Sequence, residues 1–277
     1  MPDEQAAPPP RLGLVAGYGA FPLELAASLK RQGVELHTVA AREETSPDIE
    51  RYSASTCWLH VGKLGGMIRA FQSVGVRSVI FAGKVRKLHL FRNFRPDLTA
   101  IRTLARLPDR KDDTLMLAIV EELARAGIEV LPQTQFAGDL LAGEGLLFGP
   151  KPSRAAFKDM DFGYIQARGI AALDIGQTVV VQDGAVLAVE AIEGTDEAIA
   201  RGGGLGSGKA CVVKVAKPRQ DLRFDVPAIG AGTIEVMHAA GCRTLAVEAG
   251  KTLILERERV ADLARRHGIS VFGLKGV

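Results

Sequence analysis

The sequence predicts an α/β protein, a Rossmann-like parallel-sheet domain followed by a mixed α+β domain. Three observations carry that expectation. Short apolar runs alternate with amphipathic segments through the first half of the chain. A stretch dense in glycine and proline follows at 143–153. Beyond it, two apolar runs meet around Asp183-Gly184, which signals a hairpin rather than strand–helix alternation.

The elements follow in order. "LGLVAG" at 12–17 is an apolar run stopped by glycine, and Pro22 suits the first turn of a helix reaching Gln32. "VELHTVA" (34–40) and "TCWLHV" (56–61) read as strands, and a helix from Gly66 to Val74 leads into the strand "SVIFAG" (78–83). Helical patterns at 98–107 and 114–126 precede a further strand, "IEVLP" (128–132). In the second half Ser153 caps a helix running towards Leu173, and "ACVVKVAKP" (210–218), "TLAVEAG" (244–250), "TLILE" (252–256) and "ISVFGL" (269–274) read as strands, with a helix at 257–267. The expected organisation is a disordered lead at 1–10, a Rossmann-like domain at 11–142, a linker at 143–153 and a catalytic α+β domain at 154–277.

At 277 residues, 47% hydrophobic and 24% charged, the chain has apolar material for two cores. A net charge of +3 argues against general nucleic-acid binding. Cys57, Cys211 and Cys242 lie far apart without a CxxC spacing, as expected of buried thiols in a reduced cytoplasm. The acidic, proline-rich start lacks the apolar core of a secretory signal, and no apolar run is long enough to span a membrane, so the expected location is cytoplasmic.

Five stretches carry candidate chemistry. Gly17-Tyr18-Gly19 stands between a strand and a helix, where backbone N–H groups approach phosphates; a plain tight turn is the competing explanation. Proline in place of the third glycine, and Arg42-Glu43 in place of a ribose-binding acid, disfavour a nicotinamide cofactor. From Lys84 to Arg95 five cations interleave with Leu88, Leu90, Phe91 and Phe94, a pattern that fits either a solvated loop or a contact with a phosphorylated amphiphile. Asp112 and Asp113 sit at a helix start, where one carboxylate is a cap and a pair with Lys111 could serve a Mg²⁺–phosphate site. Glu190, Gly194, Thr195 and Asp196 lead into the glycine-rich run 202–208, whose Gly202 and Gly203 offer a backbone cradle or a flexible connector. Finally "KVAKPRQDLRFDVPAIG" (214–230) brings Lys214, Lys217, Arg219 and Arg223 together with Asp221 and Asp225 beside Gln220, between Pro218 and Pro227. That density of opposite charge at the end of a buried strand points to an acidic phosphate ligand, against a structural salt-bridge cluster. The five histidines show no metal-ligand spacing.

Several of these blocks together, "GYGAFP", "GKV" (83–85), "KDDTLM" (111–116), "AVEAIEGTDEAIARGG" (188–203), "KVAKPRQDLRFDVPAIG" and "AVEAGKTLIL" (246–255), resemble the LpxI-type UDP-2,3-diacylglucosamine pyrophosphatases in order and spacing from about residue 11 to 274. The resemblance implies a Mg²⁺-dependent hydrolase of lipid A biosynthesis that converts UDP-2,3-diacylglucosamine to 2,3-diacylglucosamine 1-phosphate (lipid X) and UMP. It implies two domains enclosing the substrate and an essential carboxylate at Asp225. On that reading Asp225 and Asp221 are catalytic, and Asp225, Asp112 and Asp113 hold the metal. Gly17, Tyr18, Gly19, Lys84, Glu190, Gly194, Thr195, Asp196, Gly202, Gly203, Lys214, Lys217, Gln220 and Arg223 then contact substrate. Peripheral contact with the inner membrane and a homodimer are compatible with it. A non-catalytic carrier of lipid or nucleotide sugar, and a nicotinamide-dependent oxidoreductase, are the alternatives from other classes.

Overall fold

The computed structural model describes residues 11–86, 94–108, 112–218 and 220–275. The expected lead at 1–10, together with Leu88, Leu90, Phe91, Lys111 and Arg219, lies outside them. The chain forms two compact units. The first comprises the chain up to Gly138 together with Leu222–Phe224, and the second comprises Asp139–Asp221 and Asp225–Val277.

In unit 1 the strands are β1 (Arg11–Ala16), β2 (Glu35–Ala41), β3 (Ser55–Leu59), β4 (Ser78–Ala82) and β5 (Glu129–Val130). They form one parallel sheet in the order β3-β2-β1-β4-β5, with Leu14 opposite Thr38 on one side and Ile80 on the other. The helices are α1 (Phe21–Arg31), α2 (Leu64–Ser73), α3 (Leu98–Leu104) and α4 (Asp112–Arg125). Pro22 lies in the first turn of α1, where its missing N–H removes no helical bond. Asp97 caps α3 by accepting from Ala100 N at 3.0 Å, and its other oxygen accepts from Gly66 N at 3.0 Å, which ties α3 to the start of α2. One core gathers Val39, Met67, Phe71, Val79, Leu123 and Ile128, with Phe224 packed against it. The Leu222 carbonyl accepts from Gln133 N at 2.8 Å, so the returning segment is pinned by backbone as well as by its ring.

Unit 2 contains β6 (Gly145–Phe148), α5 (Arg154–Ala172), β7 (Thr178–Gln182), β8 (Ala185–Val189), α6 (Thr195–Leu205), β9 (Cys211–Lys214), β10 (Ala228–Ile229), α7 (Ala231–Ala239), β11 (Thr244–Glu248), β12 (Leu253–Ile254), α8 (Arg257–His267) and β13 (Ser270–Leu274). Six strands make a mixed sheet, β6-β13-β11-β9-β7-β8, in which β9, β11 and β13 are mutually parallel. Strand alternation builds two cores, one on each face. Val179, Val181, Cys211 and Val213 point to one face and pack on Met160 and Ala167 of α5. Val180, Val212, Leu245 and Val247 point to the other, against Ile199 of α6, Ile234 and Met237 of α7, and Val260 of α8.

Three local expectations are corrected. The stretch 143–153 is not only a linker, because its Gly145–Phe148 pairs antiparallel with β13. Helix α6 runs through the first three glycines of the 202–208 run to Leu205, so that part of the run is helix and not a flexible connector. Helix α7 was not foreseen at all, because Gly230 and Gly232 flank its start and Val236 breaks the stripe that Ile234 and Met237 would make.

Candidate active site

The topology of unit 2 brings the C-terminal ends of β8, β9 and β11 to one sheet edge, alongside the start of β7. In sheets of this kind ligands bind beyond the carboxyl ends of the parallel strands. Each of those three ends carries a buried charge: Glu190 after β8, Lys214 closing β9 and Glu248 closing β11.

Lys214 is 5% exposed, and its Nζ donates to Thr195 Oγ1 at 2.7 Å. Thr195 Oγ1 in turn donates to Glu190 Oε1 at 2.8 Å, and Gln177 N donates to Glu190 Oε2 at 3.3 Å. A hydroxyl can serve both neighbours at once, so ammonium and carboxylate are joined through it. Burial pushes the Lys214 ammonium below the usual lysine range, while the nearby carboxylates of Glu190, Asp196 and Asp225 oppose that shift. Gly194, at φ +87°, delivers the chain from Glu190 into Thr195 at the first turn of α6.

Glu248 is 1% exposed and fully engaged. Its Oε2 accepts from Ala216 N at 2.9 Å and its Oε1 from Lys251 Nζ at 2.8 Å, and Arg168 Nη1 stands 3.8 Å from Oε2. Arg168 also donates to the Ala216 carbonyl at 3.2 Å. Both backbone groups of Ala216 are therefore clamped, and the charged loop starts from a fixed point. Within that loop Lys217 Nζ pairs with Asp174 Oδ1 at 2.6 Å, and Gln220 Oε1 accepts from Lys217 N at 2.8 Å. Gln220 Nε2 is buried without a partner among the described residues. Asp225 N donates to Asp221 O at 2.9 Å, so these two residues close one turn of main chain, both half-buried.

Unit 1 has its own strand ends. The strand order reverses between β1 and β4, where a Rossmann-like sheet opens its crevice. There Gly17 N donates to Ala82 O at 2.8 Å, Tyr18 N to Lys84 O at 2.7 Å, and Lys84 N back to Tyr18 O at 3.1 Å. A Cβ on Gly17 would stand 2.7 Å from the Lys84 carbonyl, so this glycine permits the close approach of two backbones. The amides of Gly17 and Tyr18 are engaged in that bridge and do not form an open cradle. Gly19, at φ +110° with open space around it, and the Tyr18 ring, 40% exposed, are what this turn presents outward. Arg86 stacks 4.3 Å over that ring and donates from Nε to the fully buried Glu44 carboxylate at 2.9 Å. Glu43 pairs with His60 Nδ1.

Of the residues expected from sequence, unit 2 brings Glu190, Thr195, Asp196 and Lys214 into one neighbourhood with Asp225 through the buried lysine. Gly202 and Gly203 are helical packing positions: a Cβ would stand 2.6 Å from Val180 Cβ at the first and 2.4 Å from the Ala240 carbonyl at the second. Asp112 and Asp113 open α4 in its first turn instead of preceding it, and the Asp112 side chain is outside the described atoms. Sequence reasoning missed Gln177, Glu248, Arg168 and Asp174. Only Glu248 left a signal, an acid ending the apolar run "TLAVE".

Fold and site define a two-unit α/β protein, its second unit gathering buried charge at one sheet edge. The chain belongs to the LpxI family: the LpxI N-terminal domain matches residues 11–140 and the LpxI C-terminal domain residues 143–272. It is 33% identical over 275 residues to the "UDP-2,3-diacylglucosamine pyrophosphatase LpxI" of Caulobacter vibrioides, covering 95% of this chain and 97% of that protein. Among solved structures it is similar to the biotin carboxylase subunit of pyruvate carboxylase (11% identity, 65% of this chain, TM-score 0.26). It is also similar to the biotin carboxylase domain of the Hydrogenobacter thermophilus 2-oxoglutarate carboxylase (12% identity, 63% of this chain, TM-score 0.25). The chain spans only 35% of the length of either structure, and overlap this low carries no argument.

Proposed function

We propose that the chain hydrolyses the diphosphate of UDP-2,3-diacylglucosamine, giving lipid X and UMP in lipid A biosynthesis, with Mg²⁺ as the metal. The reading is supported by the full-length similarity to a relative named for that activity. Its geometric support is one observation, the loop after Lys214 in which a main-chain turn joins Asp221 to Asp225, with Asp225 near the buried ammonium.

The donor set suits Mg²⁺. Asp221 and Asp225 offer hard oxygens on one turn of the loop. Mg²⁺ is commonly held by one or two carboxylates, the rest of its shell being water and substrate phosphate. Bound there, it would neutralise the diphosphate and lower the pKa of water.

The chain's own residues do the rest. An ammonium has three donors, of which Thr195 takes one, so Lys214 has N–H groups left for phosphate oxygens. Gln220 Nε2 supplies a buried, unpartnered donor for an oxygen of the same ligand. Glu248 and Arg168 fix Ala216 and hence the loop, which keeps these groups in place before the ligand arrives. In the reaction a water oxygen bonds to one phosphorus as the bridging P–O bond breaks, and the released protons pass to solvent.

The test measures UMP release from UDP-2,3-diacylglucosamine with Mg²⁺ and with chelator, on the wild type and on Asp225→Ala and Asp225→Asn. We expect release only with metal and a loss of roughly 10³-fold in both variants at unchanged melting temperature. A stable Asp225→Ala protein with near wild-type turnover would remove the residue from the mechanism.

A further inference from the structure

Helix α3 buries one side and presents an apolar row on the other. Ala100 and Thr103 are each 6% exposed, whereas Leu98 is 71%, Ile101 49% and Leu104 36% exposed, and Phe94 just ahead of the helix is 37% exposed. Residues three apart share a helix face, so Leu98, Ile101 and Leu104 form a continuous ridge. Single exposed leucines are ordinary on a protein surface, but a row of them marks an interaction site. The ridge is also firmly mounted, because Asp97 bonds both Ala100 N and Gly66 N and Thr103 Oγ1 donates to the Thr99 carbonyl at 3.0 Å.

Its surroundings are basic. Between Phe94 and Pro108 the described residues hold Arg95, Arg102 and Arg106 against a single acid, Asp97. That acid is turned into the helix cap. Arg102 and Arg106 are exposed, on the helix and just past its end. Apolar side chains rimmed by cations match an anionic lipid surface, where the cations meet headgroups and the leucines enter the acyl boundary.

We propose that the outer face of α3 is the surface by which this protein docks on an anionic bilayer. The inference rests on the functional reading above to the extent that a diacylated substrate resides in a membrane. The docking is peripheral: among the described residues no helix is long and apolar enough to cross a membrane. A helix of seven residues enters only shallowly, so binding is reversible.

The experiment co-sediments the full chain with vesicles of phosphatidylcholine alone and of equimolar phosphatidylcholine and phosphatidylglycerol. The wild type binds the anionic vesicles and not the neutral ones. Leu98→Ser with Ile101→Ser lowers that binding about ten-fold or more, in keeping with the loss of two partly inserted side chains. Arg102→Glu with Arg106→Glu lowers it as well. Both double variants keep the wild-type melting temperature and release UMP from detergent-dispersed substrate at the wild-type rate. Unchanged vesicle binding by the Leu98/Ile101 variant overturns the proposal. So does a wild type that ignores vesicles but loses a dimer, by ultracentrifugation, when those two residues are replaced. If no form releases UMP while the variants still lose vesicle binding, the docking surface stands and the pyrophosphatase reading falls.

Discussion

Replacing Gly202 by alanine tests whether the glycine run in α6 is a packing device. In a helix interior this exchange alone gains up to about 1 kcal/mol in backbone propensity. At Gly202 the new Cβ would stand 2.6 Å from Val180 Cβ and 2.8 Å from both of its methyl carbons. Carbon atoms prefer roughly 3.5–4.0 Å, so α6 has to back away from β7 by about 1 Å. Overpacking of this kind costs about 1–3 kcal/mol, which exceeds the propensity gain. Gly204, two residues on in the same helix, has nothing within 4 Å of its Cβ position. Gly204→Ala should therefore gain about 0.5–1 kcal/mol, and since that gain is common to both, the two variants should differ by the overpacking cost, roughly 1–3 kcal/mol. Urea unfolding followed by circular dichroism reads the difference directly, and melting temperatures should separate by several degrees, at about 2–4 °C per kcal/mol. A Gly202→Ala protein as stable as Gly204→Ala would refute the close packing. Loss of UMP release in a stable Gly204→Ala protein would return the run to a ligand-binding role.

Thr195→Val, nearly the same shape, leaves Lys214 and Glu190 without their shared hydroxyl and should cost about 1–3 kcal/mol for each group left unpaired. Thr195→Ser should recover most of it in the same thermal melts, and failure of serine to do so would mean that the methyl group matters and the hydroxyl does not. The cysteines should react in order of burial, because burial pushes the Cys242 thiol up to about 11 and Cys211 higher still. Iodoacetamide at pH 8 should label half-buried Cys57 in the native protein and the other two only after unfolding, as mass spectrometry would resolve; native labelling of Cys242 at the rate of Cys57 would contradict that order.

Unit 1 was legible because its strands are apolar runs cut by glycine, Pro22 marks the start of α1 and Asp97 caps α3, so periodicity and punctuation agreed. Unit 2 was legible in its hairpin and its buried Val-rich strands. In α6 the failure has a definite cause: glycine was read as flexibility where it serves close contact. Positions 202 and 203 are glycine because Val180 and the Ala240 backbone leave no room for a side chain, which is information held by other elements. The bridge between Tyr18 and Lys84 is similar, since the glycines at 17 and 83 betray a tight approach without naming its partner. At the site, Lys214, Thr195 and Glu190 were identifiable as polar residues next to buried strands. Their order in the hydrogen-bond chain was not, because it depends on how three separate elements meet. Arg168 and Asp174 carried no signal, being ordinary charged residues in and after a helix.

The return of Leu222–Phe224 to unit 1 bears on inheritance. The chain leaves the first unit after Gly138, comes back for three residues, and departs again at Asp225. A chimera made from two relatives by a single crossover near residue 142 would give its first unit a mismatched Phe224 against the Phe71 and Val79 core. Recombination between family members therefore exchanges a working first half only when those three residues travel with it. Changes at Phe224 are thus constrained by sequence about 150 residues upstream, although its immediate neighbours Arg223 and Asp225 belong to the charged loop.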